Sequence, residues 1–172
     1  MTIQRSWKWA GAVMAGAFVA VGAVAADQEA HAHPGAGTAH VELPARQIRW
    51  GEAPAALPRG AKLAVLQGDP AAVGEIVTVR LKMPKGYTIP PHFHPTDEAV
   101  TVLSGSFSMG MGDRLDRSAV KVLGPGGWSF LPAGEHHYAI ANVETIVQVN
   151  MVGPFGITYL NPSDDPRATA GK

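Results

Sequence analysis

The stretch from Gly86 to Gly105 constrains this chain more than any other. It reads G-x5-H-x-H-x3-E-x6-G, filled by Gly86, His92, His94, Glu98 and Gly105. Two imidazoles and a carboxylate, set between turn glycines, are ligands for a borderline divalent metal. On a strand, residues two apart point to the same face, so His92 and His94 are expected to project together. If the chain runs on extended, Glu98 joins them with Val100 and Val102. That pattern describes an apolar wall with three ligands at one end, a metal set in the mouth of a β-barrel. Pro90 and Pro91 remove two backbone donors just before the ligands, so this stretch is expected to be extended but outside a central ladder position.

A second segment, Gly126 to His137, reads G-x5-P-x-G-x2-H through Gly126, Pro132, Gly134 and His137. With both segments in view the sequence resembles the cupin superfamily over roughly residues 63–160. The first five positions fill the first cupin motif and the next four fill the second. The usual asparagine four residues after the last histidine is absent: Ala141 stands there, with Asn142 one later. The resemblance implies an all-β, single-domain double-stranded β-helix or jelly-roll barrel. It also implies a metal held by His92, His94, Glu98 and His137.

The rest of the chain agrees with the all-β class on its own patterning. Glu75 to Lys82 alternates, with Val77, Val79 and Leu81 on one side and Thr78, Arg80 and Lys82 on the other. Further strands are expected at Val41–Trp50 (weakened by Pro44), Lys62–Gln67, Glu98–Leu103, Phe107–Met111, Ser118–Leu123 and Trp128–Leu131. Others are expected from His137, over Thr145–Met151 and over Ile157–Leu160. Gly/Pro-rich turns separate them, which reads as a sandwich or barrel. No segment of the barrel carries an amphipathic helix of ten or more residues.

The N-terminus has a different character. Arg5 and Lys8 precede an apolar run from Ala10 to Ala26, and Ala23-Val24-Ala25 is a small-x-small cleavage pattern. Residues 1–25 are therefore expected to be a secretory signal peptide, in a periplasmic or secreted protein. Residues 26–40, rich in His, Gly and Ala, are expected to be a flexible linker. The barrel would follow over 41–162 and a flexible tail over 163–172. His31, His33 and His40 lie in the linker, and His-rich tracts can bind metal.

Composition narrows the function. There are no cysteines, so thiolate ligands and cysteine nucleophiles are excluded. Formal net charge is zero and only 16% of residues are charged, with no basic run of the kind a nucleic-acid binder shows. Low charge favours a compact apolar barrel with an apolar oligomer interface. The expectation is a homodimer with no membrane association in its mature form, and Val41–Trp50 is the expected contact strand.

Three imidazoles and a carboxylate suit Fe, Mn, Cu, Ni, Co or Zn better than Ca or Mg. Four protein ligands on a six-coordinate ion leave two positions for water, dioxygen or a bidentate substrate. The functional expectation is a small-molecule metalloenzyme of oxygenase, isomerase or lyase type, its substrate binding the metal directly. The alternative is a non-catalytic metal- or ligand-binding cupin. Asp97, His136, Tyr138, Gln148 and Asn150 are polar candidates near the motifs. By alternation His136 and Tyr138 should face away from His137, while Gln148 and Asn150 face either the interior or solvent. Met83, Met109, Met111 and Met151 read as packing, and Trp128 and Phe130 as core.

Overall fold

Short apolar alternations cut by glycine and proline turns cannot build helices, and in the computed structural model, which describes residues 40–169, the regular structure is almost entirely strand. In chain order the strands are β1 (Gly51–Glu52), β2 (Lys62–Gln67), β3 (Ile76–Met83), β4 (Thr88–Phe93), β5 (Glu98–Ser104), β6 (Phe107–Met111), β7 (Lys121–Leu123), β8 (Trp128–Leu131), β9 (His137–Ala141), β10 (Thr145–Val152) and β11 (Thr158–Tyr159). They form two antiparallel sheets, one ordered β1-β2-β3-β10-β5-β8 and the other β11-β4-β9-β6-β7. This is the expected jelly roll. The expected signal peptide, most of the expected linker, and His31 and His33 lie outside the described residues.

The core lies between the sheets. Val77, Val79, Leu81 and Met83 of β3 are buried, as their period-2 pattern requires, and pair with Val147, Val149 and Met151 of β10 or their neighbours. Each such side chain contributes about 1.5–3 kcal/mol by leaving water. The motif glycines Gly86, Gly105, Gly126 and Gly134 all have positive φ, between 78° and 87°. At Gly105 the requirement is double, because an added Cβ would also collide with the Glu144 carbonyl and with Thr145.

Two expectations need correction. Val41–Trp50 is not a strand: Pro44 starts a turn closed by Gln47 N–H to its carbonyl at 2.8 Å, and residues 45–47 form a 3₁₀ turn. Pairing begins only at Gly51, where Lys62 and Glu52 form an ion pair across β1 and β2. Trp128 and Phe130 are not core. β8 is an edge strand that turns Leu131 inward, and the two aromatics are 61% and 49% exposed, stacked on each other at 6.3 Å. A 3₁₀ turn at Pro162–Asp164 and a short helix α1 (Pro166–Thr169) follow the last strand. From that helix Arg167 reaches back to the Ile157 carbonyl at 3.2 Å.

Candidate metal centre

β4 delivers His92 by an irregularity rather than by simple alternation. Its ladder with β9 slips between Ile89 and His92, leaving Pro90 and Pro91 out of the paired positions as expected. Residues three apart on a regular strand face opposite sides, yet both Ile89 and His92 are buried inward here. The bulge at the two prolines makes that possible.

The chain does not run on extended to Glu98. Pro95 cannot donate to a ladder, and residues 94–97 leave the β4 sheet and cross to the other one, where Glu98 opens β5. Glu98 therefore meets the histidines from the opposing sheet, with Val100 and Val102 buried behind it. His137 opens β9 directly opposite His92 in the ladder. A latch between the two motifs holds this arrangement. Ala133 N–H donates to Asp97 Oδ1 at 2.8 Å, and Gly134 N–H donates to the His94 carbonyl at 2.9 Å. That is the role of Asp97.

All four expected residues thus converge, and all are buried. The Nδ1 atoms of His92, His94 and His137 sit 2.7, 2.6 and 2.9 Å from the carbonyl oxygens of Pro90, Gly156 and Glu135. A carbonyl can only accept, so each Nδ1 carries the proton and each Nε2 presents a lone pair. Carbonyl partners of this kind fix the tautomer and ring orientation of metal-binding histidines. The three imidazoles offer ligand atoms within 4.8 Å of one another and could hold a metal ion. Glu98 Oε1 lies 3.7 Å from His94 Nε2, and its Oε2 lies 3.7 Å from His137 Nε2. Bonds of about 2.0–2.2 Å to one ion bring donors to at most about 4.4 Å apart, so only a small inward shift would bring all four to one centre.

The electrostatics suit a cation. Burial, then repulsion from His137 and His94, pushes His92 down to about 2, against the hydrogen bond to Pro90. Burial likewise lowers His94 and His137. All three are neutral at physiological pH. Burial pushes the Glu98 carboxyl up to about 7, partly offset by His137. A carboxylate with no cation beside it is costly here, and a metal ion would relieve that cost.

These four side chains face a cavity of about 50 Å³ whose other walls are apolar, among them Val79, Val100, Phe107, Met109, Val149 and Met151. Two loops close it. Phe155 stacks on the His94 ring at 5.5 Å and 27°, and Leu57 enters from the segment between β1 and β2. Sequence reading missed Leu57, Phe155 and Gly156. The only signal for the last two was an aromatic inside a Gly/Pro-rich junction, Gly153-Pro154-Phe155-Gly156.

The remaining polar candidates lie off the cavity. Gln148 and Asn150 face the outside of their sheet, in a hydrogen-bonded row with Arg80 and Thr78. His136 pairs with Asp113 at 2.7 Å, half-exposed. Tyr138 faces away from His137 as expected but is fully buried, its hydroxyl donating to the Asp116 carbonyl at 2.8 Å. Met83, Met109 and Met151 are core, whereas Met111 is half-exposed. Among the described residues His92, His94 and His137 are the one histidine–acid cluster able to hold an ion.

Comparison with known proteins agrees with this fold. Residues 79–153 match a family model described as Cupin domain. The polyketide cyclase RemF from Streptomyces resistomycificus superposes with a TM-score of 0.60 at 18% identity, covering 74% of this chain and 89% of that one. A putative acetylacetone dioxygenase from Methylibium petroleiphilum PM1 gives 0.56 at 19%, covering 74% and 85%. An RmlC-like cupin from Shewanella frigidimarina gives 0.51 at 19%, covering 66% and 91%. No curated protein matches the chain. The fold is therefore that of the cupins, and residues 79–153 are the part of the chain that matches the cupin-domain model.

Proposed function

We propose that His92, His94, Glu98 and His137 hold one divalent transition metal, and that the protein is an exported metalloenzyme of oxygenase, isomerase or lyase type. The observation that carries this reading is the set of three Nδ1–carbonyl bonds, which leave three buried, neutral Nε2 atoms and a carboxylate facing one small cavity. Structurally similar proteins include a polyketide cyclase and a putative acetylacetone dioxygenase, which supports an enzyme reading.

The bound ion would supply Lewis acidity or, for a redox-active metal, oxygen chemistry. The chain's own part is binding, orientation and exclusion of water. The carbonyls of Pro90, Gly156 and Glu135 hold the imidazoles in register. Apolar walls dry the site, which strengthens its electrostatics. A cavity of about 50 Å³ has room for roughly three or four waters, so it takes the oxygen-bearing end of a small molecule and not a charged polymer.

One observation favours a second reading. Among the residues lining the cavity, the only titratable side chains are the four proposed ligands. With no separate proton carrier the site could bind a ligand and catalyse nothing. Metal-loaded protein screened against enediols, catechols, diketones and hydroxy acids, with turnover and oxygen uptake as readouts, separates the two. Turnover with any of them supports the enzyme. Binding without turnover across Fe, Mn, Ni, Cu and Zn forms supports the binding module.

Export and self-association belong to the same proposal. Residues 1–26 support export by their pattern of charge, apolar run and cleavage site. Trp128 and Phe130, exposed on edge strand β8, support a homodimer. Intact mass of the exported fraction should show a chain starting near Ala26. Light scattering should show twice the mature mass. A full-length membrane-retained species, or a strict monomer, would count against these two elements.

A further inference from the structure

Leu57 is the one residue that lines both the metal cavity and a second pocket of about 350 Å³ on the outer side of the same loop. The outer pocket is lined mainly by the segment between β1 and β2, with Ala53, Pro54, Ala55, Pro58, Arg59 and Ala61, and is completed by Glu52 of β1 and Pro166 of α1. Leu57 itself is buried, a plug of four side-chain carbons between the two spaces.

Two hydrogen bonds from barrel side chains hold the loop that carries it. Tyr87 donates its hydroxyl to the Pro58 carbonyl at 2.5 Å, and Tyr159 donates to the Ala56 carbonyl at 2.8 Å. These bonds flank Leu57 on both sides. Tyr159 also lies 6.0 Å, ring to ring, from His92. The plug and the proposed ligands are thus linked through one tyrosine. The inner cavity alone is far below the 300–1,000 Å³ usual for a ligand site, whereas the outer pocket reaches that range.

We infer that Leu57 is a gating and specificity-determining partition: the site takes a small chelating head group with an unbranched apolar tail, the head on the metal and the tail running past Leu57 into the outer pocket. This rests on the metal-site reading above for the head group and on the shared wall for the tail. Eight of the outer pocket's ten lining residues are Ala, Pro, Leu or Gly, and of its two charged residues Glu52 is already paired with Lys62, which leaves Arg59 as a lone charge and a wall that is mainly apolar. The tail is therefore aliphatic, and Leu57 sets the length that is admitted without displacement of the loop.

The test uses cobalt-loaded protein, whose visible spectrum reports coordination, titrated with straight-chain alkyl hydroxamates from acetyl to octanoyl. Leu57→Ala should leave acetohydroxamate affinity within twofold of wild type and raise octanohydroxamate affinity tenfold or more. An identical chain-length dependence in the two proteins would overturn the inference. If acetohydroxamate leaves the cobalt spectrum of both unchanged, the head-on-metal reading fails, and a second measurement judges the partition alone. The chain has no cysteine, so Leu57→Cys carries a unique thiol. In the folded metal-free protein it should react completely with methyl methanethiosulfonate, tenfold or more slower than Val73→Cys at an 86% exposed position. Reaction only at the rate of global unfolding would show that the partition does not open, and would overturn its gating role.

Discussion

The imidazole of His94 donates through Nδ1 to the carbonyl of Gly156 at 2.6 Å, across 62 residues of sequence. A junction between two strands thereby aims a proposed ligand, and Phe155 of that junction lies flat against the same ring. Phe155→Ala should therefore weaken metal binding by about tenfold, the usual cost of losing support behind a ligand. Phe155→Leu should recover part of it. Chelator competition measures both.

Replacing His94 by Ala removes an Nε2 donor and should abolish stoichiometric metal binding. Metal stabilises the native state only by binding it, worth about 4 kcal/mol at a thousandfold excess over Kd. The melting temperature of wild type should rise on metal addition, and that of the variant should not. Calorimetric scans with and without metal decide this.

The pH dependence of binding follows from Glu98. Its carboxyl is raised to about 7 in the metal-free protein, so it is protonated at pH 6 and ionised at pH 8. Metal binding should release about one proton at pH 6 and almost none at pH 8. Apparent affinity should rise about tenfold per pH unit up to about 7 and then level. Titration calorimetry in buffers of different ionisation enthalpy counts the proton, and Glu98→Gln should remove the slope.

Acid acts on the metal-free fold through the histidines. Folding lowers His92, His94 and His137 below their ordinary 6.5, so the unfolded chain binds more protons once pH falls through that value. Stability from these three is full above about 6.5 and is lost as pH drops. Glu98 works in the opposite sense: its folded pKa is raised, so it favours the fold below 4.5 and loses that contribution as pH rises through about 7. Denaturant midpoints of wild type should fall from pH 7 to pH 5, and fall more steeply in Glu98→Gln.

On β8 the two faces should behave differently. Leu131 is 2% exposed and its truncation to Ala should cost about 2–5 kcal/mol. Trp128→Thr, on the outer face, should change monomer stability by no more than about 0.5 kcal/mol. Equal losses would mean that Trp128 is packed in solution.

The sequence made the fold class and the four proposed ligands legible because both are written in local spacing. Alternation in Glu75–Lys82 gave β3, and the two glycine-bounded motifs marked the residues that meet. Alternation was silent on which face is inside for an edge strand of four residues, and so Trp128 and Phe130 read as core. It was equally silent on the crossing at Pro95, where a local turn sends Glu98 to the opposing sheet. Leu57, Phe155 and the Gly156 carbonyl were out of reach for a plainer reason. They lie in loops, and their contacts depend on where distant strands bring those loops.

X-ray absorption of the metal-loaded protein tests the central claim most directly. The expected result is one ion per chain, with three imidazole nitrogens and a carboxylate oxygen at about 2.0–2.3 Å, and loss of that signature in the double variant His92→Ala/His137→Ala. An unchanged signature in that variant, or an ion held by His31, His33 and His40 instead, would contradict it.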